Sequence, residues 1–267
     1  MAEEHPTIRL LDYADPGAGK STFAATFPKP MCVMFLDTAG KEQPYFDRGL
    51  DYGGDVSEIL DLSEVTGIKG LTGQQVFNKQ GQLIIQIEHY LDEDPERPIG
   101  SARFKTRLAG LHHHYNQWRT FVIDHISGLT RTFTYYEQFL RNPGAKDPRQ
   151  WIGETTSMIE RYIATRMANL RSHNVVVLAH IDEQKDEFSG SMVRTIKAPG
   201  RMRKGLADAY SEIYHGYVSR DSHGNREYWL QTQGDAMWMA ASRLRPIPPD
   251  PCPAYYQALW SKNGNGK

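Results

Sequence analysis

Apolar positions in this chain gather into a few short continuous runs, most of them closed by a charged residue or histidine. Residues 8–14 form the first run, followed by the turn Asp15-Pro-Gly-Ala-Gly19 and then Lys20-Ser-Thr. Phe23, Ala24 and Phe27 follow at helical spacing, which predicts a helix from about Lys20 that Pro28 and Pro30 stop. Met31 to Leu36 is apolar throughout and ends at Asp37, the pattern of a strand buried on both faces. Strand, helix and strand within about thirty residues make a βαβ unit and call for a parallel sheet. Two later runs read the same way: Trp118 to Asp124, and Val175 to Ala179 ending at His180. Residues 155–172 carry an amphipathic helical stripe, and 212–219 with 226–233 read as a hairpin around Asp221–Asn225.

Between these anchors the pattern is weaker. Residues 38–57 read as loop, Ile59–Leu62 as a short strand, and 66–82 as an irregular excursion. Leu83 to Leu91 has helical spacing, and 92–110 is polar and loop-like. From Pro246 onward the prolines predict an extended or disordered tail, which sets a core of 1–245 and a tail of 246–267. The predicted fold is α/β: a mostly parallel central sheet, helices on both faces and a C-terminal β-hairpin.

The first turn carries chemistry. A strand, a Gly-containing turn, Lys-Ser/Thr and a helix, in that order, make a phosphate-binding P-loop. Gly17 and Gly19 let backbone N–H groups wrap an anion, and the helix directs its positive end at the same place. Asp15, Pro16, Gly17, Ala18, Gly19, Lys20, Ser21 and Thr22 are the nucleotide-binding candidates. Lys20 would reach the β/γ-phosphates of ATP, and Ser21 would ligate Mg²⁺. Ala14 stands where the full pattern has Gly; a positive φ there would cost about 1 kcal/mol.

A strand ending in an acid is the natural partner of such a loop, so Asp124 is placed on the magnesium. Hydrolysis needs a carboxylate to orient water, and the candidates are Asp37, Glu42 and Asp124 itself. Glu42 reads either as a group that swings toward a γ-phosphate or as a solvated loop acid. His180 is either a γ-phosphate sensor or a structural histidine. His112-His113-His114 lacks a ligand frame and reads as surface. The stretch 185–204 is locally basic, and Lys197, Arg201, Arg203 and Lys204 are candidate DNA contacts on a mobile loop, or a solvated loop. Arg243 is a candidate trans-acting arginine on a neighbour's nucleotide.

Composition narrows the class. The 267 residues are 39% hydrophobic and 24% charged, with net charge −1, so nucleic-acid binding needs a local patch. Two cysteines supply no disulfide framework, and no apolar run or leader pattern points to a membrane or to secretion. A cytoplasmic protein is expected.

Asp15–Thr22 with Phe-Pro-Lys-Pro30, a strand ending in Asp37, Phe121-Val-Ile-Asp124 and Val175–His180 together resemble the phage-type RecA-like P-loop ATPases that accompany single-strand annealing. The resemblance spans roughly residues 8–245. It implies a RecA-like core, Mg-ATP bound between subunits of a ring or filament, and single-stranded DNA held by loops after the sensor strand. It also suggests a single-strand-binding protein as partner, and the infected bacterial host as setting. Members of the family often show Lys-x-Arg where this chain has Ala241-Ser242-Arg243, and a Glu soon after the acid of the second strand, where Glu42 is displaced. Another P-loop ATPase (a helicase, helicase loader or packaging motor) and a slowly hydrolysing assembly protein are the alternatives.

Overall fold

The computed structural model describes residues 5–51, 53–92, 94–185, 190, 192–235 and 237–261. Its strands are β1 (Arg9–Ala14), β2 (Met31–Phe35), β3 (Leu60–Asp61), β4 (Thr72–Phe77), β5 (Leu83–His89), β6 (Thr120–Asp124), β7 (Asn174–Lys185), β8 (Met192–Ile196), β9 (Glu212–Arg220), β10 (Arg226–Gln231), β11 (Ala241–Ser242) and β12 (Cys252–Pro253). The helices are α1 (Lys20–Ala24), α2 (Gln43–Leu50), α3 (Ser63–Thr66), α4 (Gly100–His114), α5 (Ile126–Tyr135), α6 (Arg149–Ile159) and α7 (Met202–Ala209).

All of the strands join one sheet, in the order β12-β10-β9-β1-β7-β6-β2-β5-β4-β3, with β11 on β9 and β8 on β7. The six from β9 to β5 are mutually parallel, and the edges are antiparallel. A parallel sheet covered on both faces must be apolar on both faces, which is why β2 and β6 are buried from end to end. Alternate residues divide between two cores: Leu11, Met34, Ile123 and Val177 join one with Phe104 and Ile126, while Leu10, Val33, Val122 and Val176 join the other with Phe23 and Tyr45. The α/β class, the mostly parallel sheet, helices on both faces and the β9–β10 hairpin are as the apolar pattern predicts.

Four local expectations change. Residues 83–89 are a strand, not a helix: β5 lies inside the sheet between β2 and β4, so both faces are covered and alternation is lost. Its Gln86 and Glu88, which gave the run its helical look, are buried. The polar stretch 92–110 contains α4, whose start is capped where Asp92 Oδ1 accepts from Ile99 N and Gly100 N (2.7 and 2.6 Å). The excursion 66–82 supplies β4, and the loop 38–57 holds α2. The stripe over 155–172 belongs to α6, which continues through wider π-helical turns to Arg166 and a tight turn at Met167–Asn169.

From Pro246 the chain carries no helix as far as Tyr255, but it is anchored. Cys252 pairs with Leu230, and a 3₁₀ turn at Tyr256–Trp260 buries Tyr256, Ala258 and Leu259. Disorder is therefore not what its described part shows, because those apolar side chains complete the second core. No helix among the described residues is long and apolar enough to cross a membrane.

Candidate nucleotide site

The parallel strands deliver their C-terminal ends to one edge, and the chemistry collects there. β1 runs into the Gly turn, where Gly17 and Gly19 take φ +80° and +82°, values open to glycine. Ala14 needs no such freedom. It is the last residue of β1, paired with His180 on one side and Gly216 on the other, and no non-glycine among the described residues has a positive φ. Gly19 has a second reason to lack a side chain: a Cβ would overlap the Tyr228 ring at 2.3 Å. Helix α1 begins at Lys20 and closes after Ala24 through tighter bonds, Thr26 N to Phe23 O and Phe27 N to Ala24 O, short of the expected end at Phe27.

Asp15, Pro16 and Gly17 are exposed, Ala18, Ser21 and Thr22 half-buried. The Lys20 ammonium is folded back into the loop, donating to Ala14 O and Asp15 O at 2.9 Å each, and lies 3.4 Å from His180 Nδ1. Burial lowers its pKa, against the pull of Asp12 and Asp124. These carbonyl bonds are ones a phosphate oxygen can replace.

Asp124 ends β6 and is buried, and its Oδ2 accepts from Ser21 Oγ at 2.7 Å and from Tyr45 Oη at 2.8 Å. Burial raises its pKa while those two donors lower it. The next residue, His125, caps α5 by accepting from Gly128 N at its Nδ1 (3.2 Å). Its Nε2 faces His180 Nε2 at 3.2 Å and Asp37 Oδ2 at 3.4 Å. Burial lowers the pKa of His125, and takes that of His180 down to about 4, with His125 and Lys20 adding to the effect. For Asp37, burial pushes upward but donors from Lys41 and Thr38 win and hold the carboxyl at about 2.

A proton count restricts this pair. His125 Nδ1 accepts from Gly128 N, so a neutral ring keeps its proton on Nε2, facing His180. If His180 Nδ1 accepts from Lys20, its own proton also sits on Nε2, and two N–H groups would oppose each other. The Lys20 contact, longer at 3.4 Å than the His–His contact at 3.2 Å, is the one the count cannot keep together with the His–His bond.

Lys20, Ser21, Asp124 and His180 thus come together at one strand edge. Asp37, weighed as a water-orienting group, joins them; Tyr45 and His125 are additions that no local sequence pattern announces. Glu42 is placed elsewhere: its Oε2 accepts from Gly40 N at 2.6 Å and its Oε1 lies 3.3 Å from His89 Nε2. It is a buried carboxylate at 2% exposure, not a solvated one. Arg243 N donates to Glu212 Oε1 at 3.0 Å, at the start of β9 and so at the opposite end of the strands from the loop.

The basic stretch is a built arm. β7 continues past His180 and pairs with β8, Ile181 opposite Ile196, and α7 follows. The expected mobile loop is replaced in its described parts because Ile196, Ala198 and Met202 are buried in the core. Lys197 is exposed, and its N–H donates to His180 O at 2.7 Å. Arg201 pairs with Glu160 at 2.6 Å and Arg203 with Asp182 at 2.9 Å. The side chains of Lys204 and of His112–His114 lie outside the described part, as do Asp186 and Glu187.

Hard oxygen donors, few and adjacent to a phosphate loop, suit Mg²⁺, which keeps waters and phosphate oxygens as its other ligands. Ser21 Oγ and Asp124 supply such a pair, and no group of three or more His, Cys, Asp or Glu among the described residues offers a closed protein cage.

Among solved structures, an ATPase from the type III secretion system of pathogenic bacteria aligns at 10% identity with a TM-score of 0.45, over 79% of this chain and 52% of that one. This chain spans about half the length of that ATPase. A KaiC-like protein from the archaeon Pyrococcus horikoshii OT3 aligns at 10% identity and TM-score 0.40, over 89% and 84%. No curated protein matches. The family model described as AAA domain matches residues 7–244, so the phosphate loop, Asp124 and the arm all fall inside it, and the chain belongs to the AAA domain family.

Proposed function

We propose that the chain is a Mg²⁺-dependent ATPase that acts on single-stranded DNA, in homologous recombination or annealing of the phage type. The observation that carries the ATPase part is the convergence of Lys20, Ser21 and Asp124 at one strand edge, with Asp37 and His180 facing them. In this reading Lys20 leaves its two carbonyls for the β/γ-phosphates, and Ser21 with Asp124 holds the cation. Bound Mg²⁺ neutralises charge on the transferring phosphoryl group. Asp37, ionised and set against His125, is better placed than Glu42 to orient water.

The DNA part rests on the arm. It starts at His180, at the edge where the phosphate loop ends β1, and presents Lys197 to solvent, with Arg194 lying 4.7 Å over the Trp238 ring. Arg201 and Arg203 would have to exchange Glu160 and Asp182 for phosphates. The working unit is a ring or filament of identical subunits, residues 1–245 forming the ATPase core on which the later segment packs, Arg243 reaching a neighbour's nucleotide, in a host-cell cytoplasm beside a single-strand-binding protein.

The test is sedimentation and phosphate release with and without ATP, Mg²⁺ and single-stranded DNA. ATP-dependent assembly and DNA-stimulated hydrolysis are expected, with Lys20→Ala abolishing both. Hydrolysis that ignores DNA would leave an ATPase of another class. No nucleotide binding at all would overturn the whole reading.

A further inference from the structure

Tyr45 lies in a segment whose sequence reads as loop, yet it is fully buried and its hydroxyl reaches a carboxylate. The local chain explains how. Gly40 takes φ +91° and turns its N–H onto Glu42 Oε2; Glu42 Oε1 lies 3.3 Å from His89 at the end of β5. The Glu42 carbonyl then accepts from Tyr45 N at 2.9 Å, opening α2. Glu42 therefore seats the first turn of α2 against the sheet, and that turn aims the phenol at β6. The ring joins the apolar cluster that includes Phe23 and Phe35, which leaves the hydroxyl little freedom.

Tyr45 and Ser21 both donate to Asp124 Oδ2, at 2.8 and 2.7 Å. A buried carboxylate with two donors on one oxygen cannot turn about its Cβ–Cγ bond without losing both. We infer that Tyr45 is a positioning residue for the metal carboxylate, fixing the orientation of Asp124 so that Mg²⁺ affinity is set from α2, with Glu42 and His89 as the seat of that helix. This rests on the nucleotide reading above. Outer-shell partners of this kind typically change metal affinity 10–100-fold when removed.

The experiment is a Mg²⁺ titration of fluorescent ATP-analogue binding, in the full chain and in Tyr45→Phe, with a parallel measurement in EDTA. Tyr45→Phe keeps the ring, and near-UV circular dichroism checks the fold. The expected result is an apparent Mg²⁺ affinity about 10-fold weaker, with analogue affinity in EDTA unchanged. A purely structural role for Tyr45 would weaken both. An unshifted Mg²⁺ curve, or equal weakening with and without metal, overturns the inference while leaving the nucleotide reading intact. A native chain whose analogue binding ignores Mg²⁺ overturns both. Glu42→Gln is expected to shift the Mg²⁺ curve in the same direction by less; lost turnover at unchanged Mg²⁺ affinity would instead make Glu42 the water-orienting group and remove it from the seat.

Discussion

Asp12 lies on β1 two residues before the phosphate loop, 1% exposed, with neither carboxylate oxygen hydrogen-bonded. Burial raises its pKa to about 7, with Lys20 pulling it down. The folded form therefore holds a proton that the unfolded chain releases near pH 4, so stability is greatest below that pH and falls as pH rises toward 7. The whole effect is about 4 kcal/mol at most. His180 has the opposite sign: its folded pKa of about 4 lies below the ordinary value near 6.5, so its contribution is lost as pH falls through that window. Urea unfolding of Asp12→Asn between pH 4 and 8 is expected to lose the decline toward neutral pH and keep the histidine slope. An unchanged profile would mean that Asp12 ionises freely. At this scale the sequence was readable where a residue type has one main use. Gly17, Gly19, Lys20 and Ser21 declared themselves; Tyr45 and His125 did not, because a tyrosine in a polar stretch and a histidine after an acid have many uses and their partners lie far along the chain.

The elements were readable where burial is two-sided and simple, as in β1, β2 and β6. They failed where a buried polar group breaks the run. Glu88, at 0% exposure on β5, accepts from Arg107 Nε and Nη2 at 3.0 and 2.8 Å and from Tyr90 Oη at 2.6 Å, while Gln86 donates to its other side. The partner comes from α4, itself disguised by its charges, so neither element can be recognised without the other. Arg107→Ala leaves a buried charge uncompensated and is expected to cost about 3–5 kcal/mol in denaturant unfolding. Glu88→Leu with Arg107→Met removes both charges and is expected to come much closer to the native stability. A single substitution costing less than about 1 kcal/mol would mean that water reaches Glu88.

Across the whole molecule, the second core is closed by residues from both ends of the described chain. His5 stacks on Trp260 at 4.5 Å, Tyr256 packs on Phe27 at 4.9 Å, and Tyr256 N donates to Thr26 Oγ1 at 2.8 Å. The prolines of this segment hid that role, since they disfavour long helices and interior strands but say nothing of docking. Leu259→Ala is expected to lower stability by about 2–4 kcal/mol, read as a shifted urea midpoint at constant slope. A change within about 0.5 kcal/mol would show the segment to be loosely held.

The sheet order also sets a timetable for the chain as it leaves the ribosome. β1 carries the phosphate loop and is made before the strands that flank it, β7 and β9, with Leu11 facing Val177 and Ile213. Strands β2, β5 and β6 can pair among themselves while β1 still waits, and the loop closure it needs spans most of the polypeptide. The nascent chain therefore displays the phosphate loop before the strands that flank it and completes it late. A half-made polypeptide holds no finished pocket in which to trap a nucleotide.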